Sequence, residues 1–202
     1  MNFDHSLDPF LHLDQWVKEA KEKGITDPNA MTLATVGPKK QPTNRVVLYK
    51  GLRQEGLSFF TNYEGDKARD IEFNNKVSVN FYWRELSRQI RVQGEVFKLS
   101  RAESEAYFKS RARLSQLGAW ASFQSREVDS LETMQRRLQE IERSFQGQDI
   151  PCPPNWGGYH LIPNYFEFWL AREGRMHERY CYEKSPLLAD ASNGWRRFMR
   201  YP

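Results

Sequence analysis

The sequence predicts an α+β fold, an antiparallel β-barrel with flanking and inserted helices. Two observations carry that reading. Short segments of apolar/polar alternation recur from residue 30 to 99 and again from 158 to 200, each long enough for one strand. Between them, from about 100 to 146, apolar residues fall three and four apart, so helices enter as one block instead of alternating with strands. The 202 residues, 39% hydrophobic and 14% aromatic, can fill one core with Trp, Phe and Tyr supplying much of its bulk, and the chain reads as a single domain over 1–202.

Asp8-Pro9 opens the first helix, with Asp at the N-cap and Pro at the first helical position. Phe10, Leu13, Trp16, Val17 and Ala20 keep helical spacing, and Gly24 stops it. Strands follow at 30–36, 43–50 and 57–61, the first two joined by a Gly37-Pro38-Lys39-Lys40 turn, and 64–73 reads as a short helix. Val77, Val79, Phe81 and Trp83 alternate with Ser78, Asn80 and Tyr82 as a half-buried strand. Residues 87–99 form a long strand with Gly94 as a bulge or bend. Ser100 and Glu103 make a capping box, and helical spacing continues through Tyr107 to about Ser122. Leu131, Met134, Leu138, Ile141 and Phe145 mark a further helix. After a Pro-rich loop at 149–155, closing strands are expected at 158–162, 165–170, 175–182 and 195–200.

A net charge of +4 and a pI near 9.0 suit an anionic ligand, but the basic residues are too scattered for a nucleic-acid partner. Cys152 and Cys181 have no metal-type spacing, so no metal site is expected and free thiols in a reducing compartment are. The first ten residues lack the basic and apolar regions of a secretory signal, and no apolar run is long enough to span a bilayer. A cytoplasmic protein without a membrane partner is the resulting expectation.

Seven segments could carry chemistry. In Gly-Arg-Met-His-Glu-Arg, strand alternation would point Arg175, His177 and Arg179 the same way, an anion site or, read alone, more often a solvated strand face. Arg45-Val46-Val47-Leu48-Tyr49-Lys50 puts cations at both ends of an apolar strand; strict alternation separates them by face unless a bulge or the strand end redirects one. Phe60-Thr61-Asn62 runs into a helix start carrying Lys67, which suits a phosphate or is an ordinary capped turn. Gln89, Arg91 and Gln93 share a face opposite Ile90 and Val92, and a Gln amide can both donate and accept against a flavin or pyrimidine edge. Tyr107, Arg111 and Ser115 share one face if their helix is continuous, a phosphate cradle or a solvated stripe. Gln124-Ser125 after Gly118-Ala119-Trp120, and the aromatics around Trp156-Gly157-Gly158 and Glu167-Phe168-Trp169, can line a ligand or fill the core.

In this order the segments resemble the pyridoxine/pyridoxamine 5'-phosphate oxidase family over residues 8–202. The resemblance is carried by Asn29-Ala30-Met31-Thr32-Leu33-Ala34-Thr35-Val36, Arg45 to Lys50, Phe60-Thr61-Asn62, Arg88-Gln89-Ile90-Arg91-Val92, Leu117-Gly118-Ala119-Trp120, Trp156-Gly157-Gly158, Glu167-Phe168-Trp169 and Arg175-Met176-His177-Glu178-Arg179. It implies an FMN-binding split barrel and a homodimer with FMN at the subunit interface. FMN would then be held by Arg45, Val46, Val47, Leu48, Tyr49, Lys50, Phe60, Thr61, Lys67, Gln89, Gln124, Ser125, Trp169 and Arg179. Substrate would be held by Lys50, Tyr107, Arg111, Ser115, Arg175 and His177, the last two orienting its ring as the catalytic pair.

The implied reaction oxidises pyridoxine or pyridoxamine 5'-phosphate to pyridoxal 5'-phosphate. A hydride passes from C4' to the flavin, and dioxygen is reduced to hydrogen peroxide. Alternatives on the same barrel are a non-catalytic FMN or pyridoxal-phosphate carrier and a flavin reductase with another substrate. Three departures from the family pattern carry expectations. Gly65-Asp66-Lys67 stands where the family has Ser-Arg-Lys, so FMN should bind more weakly unless Arg69 compensates. The family's Arg and Tyr ahead of the first helix are not found, so substrate capture should be looser. Met176 and Glu178 replace Leu and Asp, and the Phe-Met-Arg-Tyr-Pro ending differs enough to alter a dimer edge.

Overall fold

The computed structural model describes residues 3–185 and 194–202. The first helix, α1 (Pro9–Glu22), starts as its sequence dictates: the Asp8 carboxylate accepts from the Phe10 N–H at 2.8 Å. Strands β1 (Ala30–Val36), β2 (Pro42–Leu48), β3 (Leu52–Arg53) and β4 (Gly56–Asn62) follow, then α2 (Asp66–Phe73), β5 (Lys76–Trp83) and β6 (Arg88–Lys98). The helical block is α3 (Arg101–Lys109), α4 (Arg113–Ala121) and α5 (Leu131–Ser144), and the chain closes with β7 (Trp156–Leu170), β8 (Glu178–Lys184) and β9 (Trp195–Met199).

Every ladder among these strands is antiparallel, in the order β2-β1-β5-β6-β7-β4-β3, with β8 and then β9 branching from β7. The branch defines the fold. β6 pairs with β7 along nearly its whole length, whereas β4 takes only residues 156–161 of β7 and β8 only residues 165–170. The sheet therefore splits at the middle of β7. There the register slips between Gln93 and Gly94, opposite Pro163. A side chain on Gly94 would collide with the backbone of Ile162, so the expected bulge requires glycine. Pro163, which has no N–H to give a ladder, is tolerated at the same irregularity. For that reason residues 158–162 and 165–170, expected as two strands, are one.

The core lies between α1 and the inner sheet face, where Leu13, Trp16, Leu33, Phe81, Ile90, Phe166, Phe168 and Trp195 are all essentially inaccessible. A second cluster of Phe108, Leu117, Ile150 and Trp156 holds the helical block to β7.

Residues 3–8 fold back under the sheet. His12, 4% exposed, donates from Nε2 to the Asp4 carbonyl at 2.8 Å, and its ring stacks on Phe3 at 4.0 Å. His5 donates to the Cys181 carbonyl at 3.1 Å. Burial is the main cause that holds both imidazoles below their ordinary 6.5. Above that pH both folded and unfolded forms are neutral. As pH falls through 6.5 the unfolded chain takes up protons that the folded chain resists, so stability falls. The thermal midpoint is expected to drop between pH 7 and 5, and His12→Gln to flatten that slope; calorimetry across the range checks both.

Candidate active site

The strand-to-helix turn after β4 builds a cradle of donors. Thr61, buried beside Gly157 of β7, donates from its hydroxyl to Gln124 Oε1 at 3.1 Å. The Lys67 ammonium donates to the same oxygen at 2.6 Å and to Thr61 Oγ1 at 3.1 Å. The Asp66 N–H, at the start of α2, donates to Ser125 Oγ at 3.2 Å. Ser125 sits at φ +68°, a strained conformation for a residue with a Cβ, and this turn brings the loop after α4 against the helix N-terminus. Arg45 approaches from β2, its guanidinium donating to Thr35 Oγ1 at 2.6 Å and Thr43 Oγ1 at 2.7 Å, with Asp70 at 3.8 Å. Burial lowers the pKa of both cations, and Arg45 lowers that of Lys67 further. Two half-buried cations beside the Thr61 and Ser125 hydroxyls and the Gln124 amide, at the positive end of a helix, form a polar set suited to a phosphate, so the residues present fit the phosphate end of FMN. Asp66 works against it, and its carboxylate is taken up by Arg69.

Beside this cradle lies the expected substrate group. The helix through Tyr107, Arg111 and Ser115 is not continuous: α3 ends at Lys109 and α4 begins at Arg113. Gln116 bridges the break, donating to the Phe108 carbonyl at 2.9 Å. The bend nonetheless keeps the group together. Tyr107 stacks on Phe60 at 3.9 Å, Lys50 Nζ lies 5.9 Å from the Tyr107 ring, and the Arg111 guanidinium covers Trp156 at 4.7 Å. Arg111 and Ser115 share one cleft of about 320 Å³ with Phe60, Thr61, Gln124 and Trp156. Arg111 Nη1 is buried without a hydrogen-bond partner, and so is Asn62 Nδ2 on the cleft wall. Burial depresses the Arg111 pKa, and among the described residues no carboxylate stands near enough to offset it. Sequence reasoning missed Asn62 and Asp70 as site residues; an Asn at a strand-to-helix turn was the available signal for the first.

Strand β2 ends at Leu48, so the strand end redirects Lys50, whose N–H donates to the Ser58 carbonyl at 2.8 Å. Val46 and Leu48 are exposed on the outer sheet face. Val47 and Tyr49 turn into the core, where the Tyr49 hydroxyl donates to Asp14 at 2.9 Å. Only the backbone of those two can meet a ligand.

The remaining expected residues sit elsewhere. Gln89, Trp169 and Arg179 are register partners across β6, β7 and β8, one row of the outer face. The His177 ring lies 4.7 Å from Trp169, and its Nδ1 accepts the Arg172 N–H at 3.1 Å, which leaves Nε2 to carry the proton of the neutral ring. Arg175 corrects the sequence expectation. It is not on a strand with His177 and Arg179 but in a 3₁₀ turn, Glu173–Arg175, exposed and at φ +61° after Gly174 at φ +62°; His177 precedes β8. Gly174 was the signal for that turn. Thr61 faces position 157 of β7 and Arg179 position 169, about 40 Å apart along an extended strand. One chain thus carries the cradle and this row as two separated groups.

Comparison with known proteins agrees with this architecture. A family model described as pyridoxamine 5'-phosphate oxidase matches residues 17–145, and one described as the pyridoxine 5'-phosphate oxidase C-terminal dimerisation region matches 156–202. The pyridoxine/pyridoxamine 5'-phosphate oxidase of Bdellovibrio bacteriovorus is 46% identical over 200 residues, 99% of this chain and 100% of that protein. That of Rubrobacter xylanophilus is 47% identical over 195 residues, 96% of this chain and 87% of that protein. Among solved structures, PhzG from Burkholderia lata 383, in complex with tetrahydrophenazine-1-carboxylic acid, superposes with a TM-score of 0.88 at 28% identity, covering 96% of this chain and 93% of its own. A pyridoxamine 5'-phosphate oxidase-related, FMN binding protein from Nostoc punctiforme shares the fold at a TM-score of 0.75 and 17% identity, over 98% and 100% of the two chains. The expected α+β split barrel is the fold observed, and the chain belongs to the pyridoxine/pyridoxamine 5'-phosphate oxidase family.

Proposed function

We propose that the protein is an FMN-dependent oxidase that converts pyridoxine 5'-phosphate or pyridoxamine 5'-phosphate to pyridoxal 5'-phosphate, with dioxygen as acceptor and hydrogen peroxide as by-product. Family membership and the donor cradle support FMN as cofactor. The observation that carries a phosphorylated substrate is Arg111, a half-buried guanidinium with an unpartnered nitrogen in the cleft beside that cradle.

Lys67, Thr61, Arg45, Gln124 and Ser125 hold the FMN phosphate, and Phe60 with the Val46–Tyr49 backbone borders the rest. Gln89, Trp169 and Arg179 complete the site from a second copy. The C-terminal dimerisation region and the exposure of Val46 (64%), Leu48 (39%) and Tyr82 (58%) on one outer face support that pairing. Arg111, Ser115, Tyr107 and Lys50 hold the substrate phosphate. Arg175 and His177 orient the ring, with the Nε2–H of His177 as a donor. FMN, when bound, would supply the hydride acceptor and the route for electrons to dioxygen. The protein binds, orients and excludes water. Both cysteines are free thiols, which supports a cytoplasmic location.

The likeness to PhzG favours a second reading, an oxidase of the same family acting on a ring carboxylic acid without a phosphate. One experiment separates them. FMN-loaded protein mixed anaerobically with pyridoxine 5'-phosphate is expected to lose its flavin absorbance and regain it in air, with pyridoxal 5'-phosphate formed. A flavin that stays oxidised with both B6 phosphates would rule out the first reading.

A further inference from the structure

Glu167 stands where a carboxylate is costly. It lies on the outer face of β7, in register with Arg91 of β6 and Cys181 of β8, yet is only 2% exposed. Its Oε1 accepts from Arg179 Nε at 3.0 Å. Its Oε2 accepts from Arg179 Nη2 at 3.0 Å, the Tyr165 hydroxyl at 2.9 Å and Arg91 Nη1 at 3.4 Å. Burial works to raise the pKa of this group, and the Arg179 and Tyr165 hydrogen bonds outweigh it, so the carboxyl stays ionised. Two parallel bonds to one carboxylate fix the plane of a guanidinium. A third, from Arg179 Nη1 to the Tyr201 carbonyl at 2.9 Å, fixes its far end. Of the five N–H bonds of Arg179, one on each terminal nitrogen is left to face a ligand.

We propose that Glu167 is a positioning residue for the cofactor: it acts through Arg179, clamping that guanidinium in the orientation in which its two remaining N–H groups meet the flavin. This rests on the reading of Arg179 as an FMN ligand. Tyr165 and Arg91 complete the carboxylate's hydrogen bonds, so the clamp persists before cofactor arrives.

The test is a double-mutant cycle on FMN affinity, read by quenching of flavin fluorescence, with the visible spectrum and reduction potential of the bound flavin recorded alongside. Glu167→Gln is expected to weaken FMN binding about tenfold or more and Arg179→Ala at least as much, the range for hydrogen bonds to a charged group. The double variant is expected to be no weaker than Arg179→Ala alone. Effects that multiply, or wild-type affinity and spectrum in Glu167→Gln, would overturn the proposal. Should Glu167→Gln fail to fold, Arg179→Lys serves. It keeps the charge and loses the fork, so it should bind FMN nearly as poorly as Arg179→Ala; wild-type affinity there would equally overturn the clamp. Failure of the unmodified protein to bind FMN would instead overturn the cofactor assignment on which the clamp depends.

Discussion

Arg111→Ala is expected to raise KM for pyridoxine 5'-phosphate about a hundredfold while leaving the folded protein nearly as stable as before. The two halves of that expectation have one cause. The Arg111 guanidinium is half-buried against Trp156 at 4.7 Å and has, among the described residues, a nitrogen without a partner and no carboxylate close enough to neutralise it. The folded protein therefore carries the desolvation of this charge against cation–π contacts to Trp156 and Phe108. A phosphate dianion supplies the missing partner, and two charge-assisted bonds lost with the side chain amount to about 3 kcal/mol or more. Arg111→Lys should recover only part of this, because a point charge cannot present two parallel donors. Steady-state kinetics against the phosphate ester and the free alcohol, with thermal unfolding of the cofactor-free proteins, reads both halves. An unchanged KM for the ester, or an equal loss with the alcohol, would show that Arg111 does not read phosphate.

That this group would converge was legible in the sequence, although the helix expected to carry it does not exist. Tyr107, Arg111 and Ser115 share helical spacing, and no glycine or proline lies among them to announce a break. The interruption after Lys109 depends on Gln116 satisfying the Phe108 and Lys109 carbonyls and Arg113 reaching across to the carbonyls of Phe145 and Gln148. These are tertiary partners that spacing cannot show. The strands were legible because period-two alternation states which face is buried: β1 and β5 alternate without a fault. β7 was harder because Pro163-Asn164 reads locally as a turn, while the structure absorbs it in a bulge against Gly94. The separation of the cradle from the Gln89–Trp169–Arg179 row was not legible at all. It follows from how β7 changes partners along its length, a property of topology and not of any local pattern.

Asp66 should be the position where a single substitution most improves cofactor binding. Asp66→Asn is expected to lower the FMN dissociation constant about tenfold at low salt, the equivalent of about 1.4 kcal/mol, and Asp66→Arg further still. The carboxylate lies in the first turn of α2, beside the N–H groups and Lys67 that form the phosphate cradle, and it occupies Arg69. An acid there favours the helix dipole, by about 0.3–1 kcal/mol, but its charge opposes a phosphate at the same place. Asp66→Asn removes that repulsion and also releases the Arg69 nitrogen paired with the carboxylate, while the other terminal nitrogen keeps its bond to the Glu64 carbonyl at 2.9 Å. Both members of the pair are more than half exposed, so solvent and salt screen the effect. The gain should shrink as ionic strength rises, and α2 should be slightly less stable. Lys67→Ala provides the opposite limit: it removes the donor shared by Thr61 and Gln124 and should weaken FMN a hundredfold or more, about 3 kcal/mol. Fluorescence titration of the three variants at two salt concentrations orders them. Asp66→Asn binding FMN no more tightly than the wild type would show that the Asp66–Arg69 pair already neutralises the carboxylate, and that the acid costs this cradle nothing.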